Sequence, residues 1–165
     1  MNEQTETAIL AGGCFWGVED LIRDIPGVIK TRVGYTGGQV PNPKYELVKT
    51  GTTGHAESIK IIFNPSLVSF SQLLDFFFKM HDPTTVNRQG NDRGNQYRSA
   101  IFYTNDQQRI TAEQKIKDWN EAHRWPAPIA TEVTAASTFT DAEEYHQDYL
   151  IKNPGGYTCH YYREL

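Results

Sequence analysis

With 165 residues, the chain has the length of one domain and enough sequence to bury a sizeable core. Its 38% hydrophobic and 22% charged residues describe a globular chain rather than a disordered one. A formal net charge of −4, with no basic run, argues against nucleic acid or an anionic membrane surface as partner. The polar, acidic start MNEQTETAIL lacks the pattern of a secretory signal, and no apolar run is long enough to span a bilayer. A cytoplasmic location is the expectation, and thiols there are normally kept reduced. The two cysteines, Cys14 and Cys159, are too few for a disulfide framework, so a bridge between them would be transient and catalytic.

Thr7 to Ala11 reads as a short strand ended by Gly12 and Gly13. From Cys14 the apolar positions Val18, Leu21, Ile22 and Ile25 follow helical spacing, and Pro26–Gly27 closes the segment. Val28 to Tyr35 alternates as a strand, and TGGQVPNPKY must then be a loop. A brief helix is expected around Tyr45 to Lys49, then a strand from His55 to Phe63 and a helix from Ser69 to Met80. His81 to Gln96 is a second long polar loop, of a length that is usually functional. A strand over Gln96–Thr104, a helix over Asp106–His123 and a strand over Pro128–Ala135 follow. Thr140 and Glu143 form a capping-box pattern that predicts a helix through about Ile151. The tail NPGGYTCHYYREL is irregular. Strands and helices mix without strict alternation, which predicts a two-layer α+β sandwich.

Two residues stand out chemically. Cys14, in AGGCFWG, falls at a predicted helix N-terminus, where unpaired N–H groups and the helix dipole can lower a thiol pKa from about 8.5. The glycines before it leave the sulfur open to approach, and Phe15 and Trp16 offer an apolar wall for a small apolar group. A free cysteine also packs well as a small hydrophobe, so core packing competes with reactivity here. Glu57, in HAESIKIIF, shares a strand face with Ile59, Ile61 and Phe63, the more apolar of the two faces. A carboxyl buried there without a cation is driven towards its neutral form and becomes a general acid. A frayed, solvated strand start is the plainer alternative. Cys159 lies beyond Gly155 and Gly156, which could let it swing, and a mobile second thiol is what turns a sulfenic acid into a disulfide. Neither cysteine has a second cysteine nearby, so the ligand-pair spacing of structural zinc is missing. Tyr45 and Tyr97 flank the long loops, where a phenol could donate to a bound oxygen, and Asp92 in GNDRGNQY suits a turn or a loop-orienting role.

The segments GCFWG, GYTGG, PNPKY, TGHAES, HDPTT, RQGNDRGNQYRSAI, AEEYHQDYL and NPGGY occur in this order, and together the chain closely resembles the A-type peptide methionine sulfoxide reductases from about Ala8 to Cys159. The resemblance implies a single catalytic domain over residues 1–165, with 1–6 a flexible N-terminus and 153–165 a mobile tail. It implies a mixed, mostly antiparallel sheet with a ferredoxin-like core. It implies that Cys14 attacks the sulfoxide sulfur, that Phe15 and Trp16 receive the methyl group, and that Glu57 protonates the oxygen. Tyr45 and Tyr97 match hydrogen-bond donors around that oxygen, and Asp92 matches an aspartate acting through backbone and water. Cys159 matches the recycling thiol that yields a disulfide, reduced by thioredoxin or, in vitro, by dithiothreitol. No metal or organic cofactor is implied, the substrate is the S epimer, free or in proteins, and a monomer is expected. Relatives exist with a further cysteine in a longer tail and with no residue between the tyrosine of NPGGY and the cysteine. Here there is no third thiol, and Thr158 intervenes.

Three rival readings make different predictions. A two-cysteine thiol peroxidase would consume hydrogen peroxide without sulfoxide turnover. A cysteine hydrolase pairing Cys14 with His55 or His146 would form an acyl-enzyme and leave Cys159 dispensable. A binding module for exposed methionine would turn nothing over.

Overall fold

The computed structural model describes residues 4–165, so the expected flexible N-terminus lies partly outside the described residues. In chain order the elements are β1 (Glu6–Gly12), α1 (Phe15–Ile22), β2 (Val28–Thr36), α2 (Tyr45–Val48), β3 (Ala56–Phe63), α3 (Phe70–Met80), β4 (Arg88–Gln89), β5 (Asp92–Arg93), β6 (Ser99–Tyr103), α4 (Asp106–Glu121), β7 (Glu132–Ala135), β8 (Thr140–Asp141) and α5 (Tyr149–Lys152). Six strands form one sheet in the order β7-β6-β1-β3-β2-β8. Its pairings are antiparallel except β6 with β7, which is parallel. Inside it, β1-α1-β2-β3-α3-β6 has the ferredoxin-like succession, with those four strands side by side as β6, β1, β3, β2.

The core follows from the period-2 pattern. Ala8 and Leu10 of β1, Val33 and Tyr35 of β2, and Ile59, Ile61 and Phe63 of β3 face Phe15, Val18 and Ile22 of α1 and Leu73, Leu74, Phe77 and Phe78 of α3. The opposite face of β1 carries Ile9 and Ala11, packed with Ala56, Ala100 and Phe102 beneath Ala136 and Phe139. Because β1 is covered on both sides, its register with β3 and β6 is fixed along its length. Helix α3 begins with a complete capping box between Ser69 and Gln72.

The structure differs from the sequence reading mainly at the C-terminal end. The span Thr140–Ile151 is not one helix. It is strand β8, a 3-10 turn over Glu144–His146, and α5, which starts after Asp148 in the left-handed region with φ 53°. Long-range hydrogen bonds outcompete the local cap. Glu143 accepts from the Tyr35 hydroxyl at 2.8 Å and from the Tyr45 N–H at 3.1 Å instead of closing a capping box. The Gln147 amide pairs with both backbone groups of Val33, at 2.9 Å each, and so takes the place of a strand residue. The Asp148 N–H donates to Glu19 at 2.8 Å. Shorter corrections are that α1 stops at Ile22, that β6 starts at Ser99 after a 3-10 turn over Asn95–Tyr97, and that β7 starts at Glu132 rather than Pro128. The His81–Gln96 loop contains the β4–β5 hairpin.

Candidate active site

Strand β1 turns into α1 through Gly13, whose φ of 97° is the left-handed conformation that a side chain disfavours. The next residue is Cys14, at the N-cap position of α1, with 7% of its surface exposed. Glu57, near the start of β3 and 2% exposed, lies across from it. Its Oε1 accepts a hydrogen bond of 3.2 Å from the Phe15 N–H, so the helix start that carries Cys14 is tied to the carboxyl by backbone. Burial pushes the Glu57 carboxyl up to about 8; the Phe15 N–H opposes this, and the nearby Asp92 charge adds to it. The strand-parity expectation is met, and the solvated alternative is not.

Cys14 departs from the expectation of a lowered pKa. Burial first, and the Glu57 charge next, hold its thiol far above the ordinary value, and the opposing Trp16 N–H at the helix start is outweighed. Both partners therefore rest in their protonated, neutral forms at neutral pH. Desolvation has beaten the helix dipole.

Tyr45 opens α2, and Tyr97 sits in the 3-10 turn before β6. Both phenols are pushed up by burial and then by Glu57, Tyr45 to about 12, so both stay donors. Asp92, in the β4–β5 hairpin, accepts from the Tyr157 hydroxyl at 3.3 Å. Burial raises its carboxyl, and its charge is felt at Cys14, Glu57, Tyr97 and Cys159. Cys159 is half-buried over Gly90, a β-carbon on which would sit 3.7 Å from its Sγ. Both cysteines are free. The charges of Glu57, Asp92 and Cys159 are felt at the Cys14 thiol, and that of Glu57 at Tyr45 and Tyr97, so these side chains lie near one another.

The wall is aromatic. The Phe15 ring is buried against Tyr35, with centroids 5.7 Å apart. Trp16 stacks on Tyr149 at 3.8 Å with ring planes 10° apart, and its indole N–H donates to His146 Nδ1 at 2.9 Å. An indole N–H can only donate, so neutral His146 carries its proton on Nε2, a buried atom without a partner among the described residues. Tyr45 and Tyr145 close on the same ring at 4.4 and 4.1 Å. His146, Tyr149, Glu143 and Tyr157 were not singled out for these roles from the sequence. Glu143, His146 and Tyr149 lie in the AEEYHQDYL segment and Tyr157 in NPGGY.

Neither histidine of the hydrolase reading has a free acceptor nitrogen to take a proton from Cys14, which disfavours a hydrolase. His55 Nδ1 accepts from the Gly38 N–H at 3.1 Å and its Nε2 faces the Val40 carbonyl at 2.6 Å, while His146 is bonded to Trp16. Among the described residues, no group of three or more His, Cys, Asp or Glu side chains is arranged to hold a metal ion, and no helix is long and apolar enough to cross a membrane.

A family model described as "Peptide methionine sulfoxide reductase" matches residues 6–165. The chain belongs to that family. Among curated relatives, a peptide methionine sulfoxide reductase MsrA from Pseudomonas fluorescens is 54% identical over 165 residues, covering 100% of this chain and 77% of that protein. One from Rhodopirellula baltica is 56% identical over 159 residues, covering 96% and 92%. Among solved structures, reduced Mxr1 from Saccharomyces cerevisiae aligns with a TM-score of 0.90 at 39% identity, over 98% of this chain and 93% of that one. Methionine sulfoxide reductase A of Corynebacterium diphtheriae aligns at 0.88 and 38% identity, over 96% and 79%. This peptide methionine sulfoxide reductase is thus an oxidoreductase acting on methionine sulfoxide, with the α+β sheet of its relatives.

Proposed function

We propose that this reductase removes oxygen from methionine S-sulfoxide, free or in oxidised proteins, with Cys14 as nucleophile and Glu57 as acid. The S preference is taken over from the family. The observation that carries the reading is the buried Glu57 carboxyl, held neutral to about pH 8 and hydrogen-bonded to the residue that follows Cys14. Oxygen leaves a sulfoxide poorly unless it is protonated. Glu57 gives its proton to the oxygen while the Cys14 sulfur attacks the sulfoxide sulfur, and the thiol proton goes to the emptied carboxylate. The oxygen passes to Cys14, the S–O bond to the substrate breaks, and methionine leaves with a sulfenic acid on Cys14. Tyr45 and Tyr97, kept protonated, donate to the oxygen, Asp92 acts through backbone and water, and Phe15 and Trp16 receive the methyl group.

Cys159 then attacks the Cys14 sulfenic acid, releasing water and forming the Cys14–Cys159 disulfide. A dithiol protein of the thioredoxin type reduces it, taking the oxidation onto itself. The alignment with Mxr1 from Saccharomyces cerevisiae in complex with Trx2, at a TM-score of 0.66 and 27% identity, supports that partner. The reading places the enzyme in the cytoplasm as a monomer that repairs oxidised proteins.

The test is a burst assay without added reductant on each epimer of one methionine sulfoxide, with mass spectrometry of the protein afterwards. One methionine per enzyme from the S epimer, together with a Cys14–Cys159 bridge, is expected. Turnover retained in Cys14→Ser would overturn the nucleophile assignment.

A further inference from the structure

The last segment is irregular in backbone, yet one residue of it is deeply seated. His160 is 6% exposed, and its Nε2 lies 2.7 Å from the Gly12 carbonyl. A carbonyl only accepts, so the imidazole proton is on Nε2. Burial holds the ring's pKa down to about 4, and it stays neutral at physiological pH. The slot it occupies is made of missing side chains. A β-carbon on Gly17 would collide with His160 Nδ1 and with Thr158 Oγ1, and one on Gly13 would press on Nε2 at 3.3 Å. Gly12 and Gly13 precede Cys14 and Gly17 follows it by three residues, so the ring sits astride the nucleophile.

The backbone between these contacts fixes the direction of the second thiol. The His160 N–H donates to Thr158 Oγ1 at 3.1 Å, and Thr158 and His160 both face Gly17. Cys159, between them, is turned the other way, towards Gly90, with Sγ 3.9 Å from His160 Nδ1. The extra residue Thr158 is therefore part of the seat. Its hydroxyl closes the turn that presents Cys159.

We propose that His160 is a positioning residue for recycling: its bond to the Gly12 carbonyl pins the tail in the glycine slot beside Cys14 and holds Cys159 within reach of the sulfur it must attack. This rests on the disulfide reading above. Without the pin, Cys159 would have to find Cys14 from a tail so open at Gly155 that a β-carbon added there would meet no atom within 4 Å. Holding two reacting groups together removes that search from the barrier.

The experiment follows the full chain with methionine S-sulfoxide and no reductant by quenched flow, reading methionine release and, after alkylation, disulfide by mass spectrometry. In His160→Ala the rate of disulfide formation relative to methionine release should fall at least about tenfold, with a dimedone-trappable sulfenic acid accumulating. His160→Gln, whose amide N–H can reach the same carbonyl, should recover most of the loss. A wild-type ratio in His160→Ala, or equal defects in the two variants, would overturn the inference and leave the recycling reading standing. Methionine release without any Cys14–Cys159 bridge in the wild type would overturn that reading, and the inference with it.

Discussion

The Phe15 N–H donates to Glu57 Oε1 across 3.2 Å, and this bond couples the start of α1 to a carboxyl on the face of β3 that also carries Ile59, Ile61 and Phe63. A glutamine in place of Glu57 keeps that acceptor and loses the proton. Glu57→Gln should slow the single-turnover rate of methionine release by about 100-fold or more, the usual scale for a lost general acid. An unchanged rate would remove Glu57 from the chemistry.

The same group sets a pH dependence. With its carboxyl pushed up to about 8, Glu57 is competent as an acid below that pH and fails above it. The single-turnover rate should be level at lower pH and fall about tenfold per unit well above 8, and this limb should vanish in Glu57→Gln. The stability effect runs in the same window. Between the unfolded value of about 4.3 and 8 the folded state holds more protons than the unfolded one, so this group makes stability fall as pH rises. Thermal unfolding at pH 8 should therefore find Glu57→Gln more stable than the wild type.

Cys14→Ser should abolish methionine formation with either dithiothreitol or thioredoxin. Cys159→Ser should give one methionine per enzyme and then stop when thioredoxin is the reductant. Continued thioredoxin-driven turnover in Cys159→Ser would show another route for resolving the sulfenic acid.

Trp16 is held by two neighbours, the ring of Tyr149 and His146 Nδ1. His146→Ala frees the indole N–H and opens space beside the stack. The expected result is a rise in KM for methionine sulfoxide of roughly tenfold, larger than the fall in kcat, because in the proposed reading the wall receives the methyl group while the proton donor is untouched. A shift in indole fluorescence should accompany it, and a kcat loss with unchanged KM would contradict this role.

Glu143 accepts from the Tyr35 hydroxyl and the Tyr45 N–H. Burial works against its carboxylate, but its own backbone N–H, then these two donors, with His146 nearby, together hold the carboxyl below the usual range. A lowered folded pKa means stability that is present above the unfolded value and lost as pH falls through the folded one. Glu143→Ala should lower the melting temperature at pH 7, with the difference from wild type shrinking in acid.

What was legible in the chain was what local rules control. Alternation along Glu57, Ile59, Ile61 and Phe63 placed the carboxyl on the buried face, and the glycines before Cys14 marked the turn into α1. Where long-range contacts compete with a local signal, the reading failed. Thr140 and Glu143 have the spacing of a capping box, but Glu143 is drawn to Tyr35 and Tyr45, and Gln147 to Val33 more than a hundred residues away. The thiol pKa went the same way, because a helix N-terminus can be guessed from spacing whereas the degree of burial cannot. The seat of His160 depends on the tail returning to the first strand, for which spacing alone gives no sign.

The amide of Gln147, paired with both backbone groups of Val33, also has a consequence for assembly. Strand β2 would otherwise end the sheet with an open ladder, since β8 pairs with it only at Gly34 and Tyr35. A side chain that imitates one more residue of strand, beside the Arg32–Asp141 and Arg32–Glu144 ion pairs, extends the closed part of that border to Val33 and leaves it charged. At Val33 an arriving extended peptide finds both backbone groups already taken, so it cannot add itself to the sheet there.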